Sequence, residues 1–181
     1  MQTKEALAHA VDLLAVTIRE GIPLTPERYD HEARLASVER LRSEIDAENW
    51  VDPALLREYT ALYLKELDIA NSREYFYAKI PVTSRYGAPG AMWAECVMNG
   101  NWSVYYRTID GKHLGVYSNV AEEGPPRYEF QERLPGALAK EVEETIMITR
   151  PEDYERKMQI LVEKQTVADS RTHAQAIYDS L

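Results

Sequence analysis

The chain has one cysteine in 181 residues, which excludes an internal disulfide. Cys96 stands in the middle of a strand-like run, so it reads as a small buried apolar side chain rather than a reactive thiol. Also missing is any run of about 18 apolar residues able to span a bilayer. The opening Met1-Gln2-Thr3-Lys4-Glu5 leads into an amphipathic stretch, and the expectation is a cytoplasmic protein without membrane contact.

Motifs that carry chemistry are equally scarce. His9, His31, His113 and His173 are isolated, with no Cys or second His at ligand spacing, which argues against a zinc site. His31-Glu32-Ala33-Arg34-Leu35 opens like a zinc-protease helix but places Leu where the second ligand must stand. There is no phosphate-binding GxxxxGK, no GxGxxG after a strand and no GxSxG elbow. In Gly87-Ala88-Pro89-Gly90, the proline and the lack of a following helix weaken a phosphate-loop reading. No cofactor and no metal are expected. Glu95 is the one carboxylate worth testing, because its strand neighbours are apolar, yet a lone carboxylate supplies no nucleophile or metal. The reading therefore leans away from an enzyme.

What is present is acid, helix and a concentrated set of rings. The net charge of −9 is uneven: −6 over Met1 to Asn71, +2 over Ser72 to Val120, −6 over Ala121 to Glu155 and +1 over the remainder. Such a body disfavours an extended nucleic acid, whose affinity depends on Lys and Arg neutralising phosphates, and suits a basic protein partner. The length is expected to form a single domain over 1–181, burying roughly 70% of the unfolded surface.

The fold class expected is α+β, with a helical part over 1–71, a β-meander of about four strands over 74–119 and a mixed, mainly helical part over 127–181. The first helix, Thr3 to Arg19, aligns Leu7, Val11, Leu14 and Ile18 on one stripe. The second is expected to start at Thr25-Pro26 and the third at Asp52-Pro53, each a capping side chain followed by proline at the first helical position. In the third, Leu55, Leu56, Tyr59, Leu62, Tyr63 and Leu67 are expected to face inward. Tyr128 to Phe130 offers a short edge strand. Helices are expected from Gly136 to Glu144, after Pro151, and as a separate terminal segment from Asp169.

Between Tyr75 and Phe130 lie 11 of the 17 aromatic residues, so the meander is the place to seek a surface. Asn99-Gly100 and Asp110-Gly111 supply the positive φ that two-residue hairpin loops require. If each is a two-residue loop, Trp93 faces Tyr106, Glu95 faces Val104, Thr108 faces His113 and Tyr106 faces Gly115. One surface then carries Trp93, Val97, Trp102, Val104, Tyr106, His113 and Tyr117, and the other carries Met92, Ala94, Cys96, Tyr105, Ile109, Leu114 and Val116. The first, aromatic with polar tips, is the candidate binding face, with Trp93, Trp102, Tyr106 and Tyr117 as anchors beside Arg107 and His113.

Two functions follow. One is a stoichiometric binder, an inhibitor, immunity or anti-defence protein or an adaptor, acting on a basic target, a role for which a nucleic-acid-binding protein would be suited. The other is a small-ligand or nucleotide platform, with an enzyme built on it as the weaker variant, in which rings stack on a base while Arg107, Lys112, Arg85 and Lys79 meet phosphates. The binder is preferred on charge layout.

Overall fold

The computed structural model describes residues 2–83 and 89–179. Three helices come first: α1 (Gln2–Glu20), α2 (His31–Ala47) and α3 (Pro53–Asn71). Five strands follow, β1 (Arg73–Thr83), β2 (Pro89–Asn99), β3 (Ser103–Thr108), β4 (Leu114–Asn119) and β5 (Tyr128–Gln131), then α4 (Gly136–Thr149) and α5 (Tyr154–Asp179). The fold is α+β, with helices on both sides of the strand block in sequence. The sheet is an antiparallel meander in the order β1-β2-β3-β4-β5, one strand more than expected, because Tyr128 to Gln131 pairs as a full edge strand.

Local chemistry explains where the helices start. At α3 the Asp52 carboxylate accepts the Ala54 N–H at 2.7 Å and Pro53 occupies the first turn, as the sequence predicts. At α2 the start falls later than expected. Pro26 leads only into a short 3-10 turn, Glu27–Tyr29, and the Thr25 hydroxyl donates to Tyr29 O at 2.9 Å instead of capping. Asp30 is the cap, accepting the Ala33 N–H at 2.7 Å. The C-terminal helix is also continuous where a break was expected near Asp169. No glycine or proline interrupts 154–179, and Asp169 accepts from Gln165 Nε2 at 2.8 Å within the helix.

Two compact units divide the chain. The first is Met1–Glu74, Met98–Val104 and Tyr117–Phe130, and its core joins Leu7, Val11, Leu14 and Ile18 of α1 to Val38, Leu41 and Ile45 of α2 and Leu55 of α3. The predicted α1 stripe is thus the buried one. Each such aliphatic side chain contributes roughly 1.5–3 kcal/mol when fully buried. Beneath α3, Glu66 and Arg34 form a buried ion pair, and Arg34 Nε donates to Tyr29 O at 3.0 Å. The second unit is Tyr75–Val97, Tyr105–Val116 and Gln131–Leu181. Its core gathers Val97, Val116, Val142 and Ile146, with Tyr75, Tyr105, Leu114, Leu134 and Leu138 against them.

That second core corrects the register of the first hairpin. β2 ends at Asn99 and β3 begins at Ser103, so the loop has three residues, Gly100-Asn101-Trp102, rather than two. Farther along, Ile109 N–H donates to Trp93 O at 3.0 Å, which sets Trp93 opposite Ile109 instead of Tyr106. An odd-numbered slip exchanges the faces of one strand relative to the next. Val97 consequently packs with Tyr105, Leu114 and Val116 against α4, not with Val104 and Tyr106. The second hairpin keeps its predicted register, with Thr108 N–H donating to His113 O at 2.9 Å.

Candidate functional site

The loop of the first hairpin is built by three consecutive residues with different tasks. Gly100 adopts φ +56°, a left-handed conformation that glycine takes without a Cβ penalty, and its N–H donates to Ser72 O at 2.8 Å. A Cβ there would lie 2.5 Å from Ala70 O. Asn101 is buried, and its side-chain oxygen accepts the Ile22 N–H at 3.2 Å. With the two residues before it tied down, Trp102 stands outward at 74% exposure. It borders a shallow depression of about 510 Å³ shared with Ser72, Arg73 and Asn99, in which Arg73 Nε donates to Asn99 Oδ1 at 2.9 Å. A large ring held in place by a fixed loop loses little freedom on contact with a partner.

The other expected anchors do not join it. Tyr106 is fully buried, so its place on an accessible aromatic face is corrected. Its side chain lies on the side of β3 shared with Val104 and Thr108, against Gly115, where an added Cβ would stand 2.4 Å from the Tyr106 hydroxyl. Burial pushes its phenol pKa upward. Tyr117 is half-buried in the first unit, its ring centroid 5.7 Å from Tyr128 and 4.4 Å from Phe130. Trp93 is half-buried in the second unit, with the Lys79 ammonium 5.4 Å from its ring. Arg107 reaches Glu143 at 3.6 Å, and His113 Nδ1 lies 2.9 Å from Glu132 Oε1. The register thus sets Trp93 and Arg107 on the α4 side of the sheet and Tyr106 on the opposite side. Lys112 pairs with Asp110 at 3.3 Å; Arg85 and Gly87-Ala88 lie outside the described residues.

Glu95 proves to be the centre of a polar cluster rather than an isolated carboxylate. It is 2% exposed, and Arg150 meets it through two bonds, Nε to Oε1 at 2.8 Å and Nη2 to Oε2 at 2.9 Å. Tyr75 donates its hydroxyl to Oε1 at 2.8 Å. Burial, followed by the hydrogen bonds to Tyr77 and Glu95, drives the Tyr75 phenol pKa far up. The Arg150 guanidinium also stacks over Tyr154 at 3.9 Å from the ring centroid. Two bonds from a bidentate arginine and one from a phenol occupy the Glu95 oxygens within the cluster, which leaves the side chain a structural anchor facing no open cleft. Cys96, beside it, is buried, and desolvation raises its thiol pKa, matching the expectation of an inert residue.

Sequence reasoning missed Arg150, because a residue 55 positions from Glu95 carries no local signal of its partner. It also placed Leu56, Tyr63 and Leu67 inside α3, whereas all three are exposed. The signal was available: a helix apolar on more than one side has a face left over after its core contact is made. Among the described residues, no three His, Cys, Asp or Glu side chains converge as metal ligands do, and no helix is long and apolar enough to cross a membrane. Comparison of the chain with protein-family models, curated proteins and solved structures gives no match.

Proposed function

We propose that this protein is a non-enzymatic binding module, a stoichiometric inhibitor of the immunity or anti-defence kind, that docks on a protein target with a basic, nucleic-acid-binding surface. The observation that carries the reading is Trp102, a tryptophan 74% exposed on a loop whose two preceding residues, Gly100 and Asn101, are tied to Ser72 and Ile22. Tryptophan is among the residue types that dominate interface energetics, and a preorganised one binds at low entropic cost. The charge layout supports the choice of target, since Met1 to Asn71 sums to −6 and the whole chain to −9. Charge of one sign raises the rate of encounter with the opposite sign more than it raises final affinity.

The test uses the full chain, tagged, to capture partners from its native host, followed by identification and titration of the recovered protein. A basic protein at equal stoichiometry is expected, with an association rate that falls as salt rises. Trp102→Ala is expected to weaken that complex about 30-fold, the scale of an interface hot spot. Unchanged affinity in the Trp102→Ala protein, or a target without basic character, would sink the proposal.

A further inference from the structure

One flank of α5 in the second unit is rich in cations, in a chain whose net charge is −9. The helix buries a seam that includes Leu161 and Gln165, and Gln165 Nε2 donates to Ala91 O at 3.3 Å. Beside that seam runs a shallow groove of about 450 Å³ lined by Ile160, Glu163, Lys164, Val167, Ala168 and Arg171. Ile160 and Val167 are 44% and 51% exposed and stand seven residues apart. Lys157, Lys164 and Arg171, all exposed, repeat at the same interval. Seven residues is nearly two turns, so the flank presents an apolar column with a cationic column next to it. Glu163 falls on the far side of the apolar column. Lys157 pairs with Asp153 at 3.1 Å. Among the described residues, Lys164 and Arg171 have no ion pair.

We propose that this flank of α5 docks an acidic amphipathic helix of a partner protein. The two columns select the occupant. An apolar strip bordered by charge and repeating every seven residues is a surface into which the side chains of another helix interdigitate. The unpaired cations set the sign: carboxylates facing Lys164 and Arg171 gain attraction, whereas a basic helix meets like charge. A second copy of the chain is disfavoured, because it brings net charge −9 and, on its own α5, the same cations. An anionic bilayer is disfavoured because a plane of negative charge meets the rest of the acidic chain as well. A single helix stays within about 10 Å of the groove, the range over which charge acts at ordinary salt. From residue 157 to residue 171 the columns extend about 21 Å, or about four turns. That is enough for the anchors at i, i+3 and i+7 by which a helix is read in a groove.

Calorimetric titration of the full chain with a synthetic helix tests this, the peptide having three heptads with leucine along one stripe and glutamate at the flanking positions. Binding is expected at low salt, and its affinity is expected to fall at least about 10-fold when sodium chloride is raised to about 0.5 M. The matching peptide with lysine in place of glutamate is expected not to bind. Lys164→Glu/Arg171→Glu is expected to weaken the complex at least about 10-fold, with unaltered thermal melting by circular dichroism, since both sites are exposed. The proposal is overturned by a chain that does not bind the acidic peptide, by equal binding of the two peptides, or by a folded Lys164→Glu/Arg171→Glu protein that binds undiminished. Sedimentation of wild type with phosphatidylserine vesicles, or a wild-type dimer, would overturn it too if the double variant abolished either one, by giving the flank to a bilayer or to a second copy. None of these results depends on Trp102.

Discussion

Arg150 and Glu95 sit 55 residues apart in sequence and meet side-on, Nε to Oε1 at 2.8 Å and Nη2 to Oε2 at 2.9 Å, with the carboxylate 2% exposed. Arg150 caps the C-terminal end of α4, so this pair joins the end of that helix to the middle of β2. Removing one member of a buried pair leaves the other desolvated without a counter-charge, which costs more than the pair itself contributes. Arg150→Met is therefore expected to destabilise the protein by about 3 kcal/mol in urea unfolding. Adding Glu95→Gln to that variant is expected to recover part of the loss, because the remaining buried group is then neutral. A double variant no more stable than Arg150→Met would show that the charge is not what the cluster is built around.

The tyrosines of the sheet set the alkaline limit of stability. Burial raises the phenol pKa of Tyr75 and of Tyr106 above the ordinary tyrosine value. The folded state therefore keeps protons that the unfolded chain releases above about pH 10. The contribution of these groups is fully present below that pH and is lost as pH climbs from there toward the folded-state values, by up to about 1.4 kcal/mol per pH unit for each tyrosine. Unfolding free energy is expected to fall above about pH 10, less steeply in Tyr75→Phe. Tyrosinate absorbance should appear in step with unfolding for the buried groups. A stability curve flat through this range would contradict the assignment.

How much of this was legible beforehand depends on the distance over which each signal acts. Asp52-Pro53 marked the start of α3, and Leu7, Val11, Leu14 and Ile18 marked the buried side of α1, because caps and periodicity are carried by residues within a turn or two. Asp110-Gly111 set the second hairpin correctly for the same reason. Asn99-Gly100 failed by a small margin with a large effect. Asn101 is drawn toward Ile22, a residue 79 positions earlier, which lengthens the loop and exchanges the faces of β2 relative to β3. The supposed aromatic face was thus divided by a tertiary hydrogen bond that no local pattern announces. Only Trp102, a loop residue indifferent to strand parity, kept its predicted exposure.

Gly115 offers a sharper test of the β3–β4 register. A Cβ built there would lie 2.3 Å from Gln131 O and 2.4 Å from the Tyr106 hydroxyl, both below any tolerable contact. One is backbone on the neighbouring edge strand and the other the tip of a buried ring, so neither can yield by simple rotation into solvent. Gly115→Ala is expected to cost about 1–3 kcal/mol through overpacking, measured by chemical denaturation. Gly136, where an added Cβ meets nothing within 4 Å, serves as the control, and Gly136→Ala in the first turn of α4 should be neutral or slightly stabilising. Equal stabilities for the two variants would mean that Tyr106 does not point at Gly115.

Trp102 and Tyr106 lie four residues apart, and the sequence placed both on one surface; their burial now separates two kinds of cost. Tyr106 is 0% exposed, and truncating a large buried ring removes its transfer free energy and leaves a cavity, so Tyr106→Ala is expected to lose about 3–5 kcal/mol of stability. Trp102, at 74% exposure, has little buried area to lose, and Trp102→Ala should change unfolding free energy by no more than about 0.5 kcal/mol. The two measurements together decide what the hairpin is for. If Trp102→Ala unfolds cooperatively like wild type yet fails to hold the captured target, its ring faces a partner. If it instead melts as early as Tyr106→Ala, the ring is structural and the loop has lost its claim to a binding role.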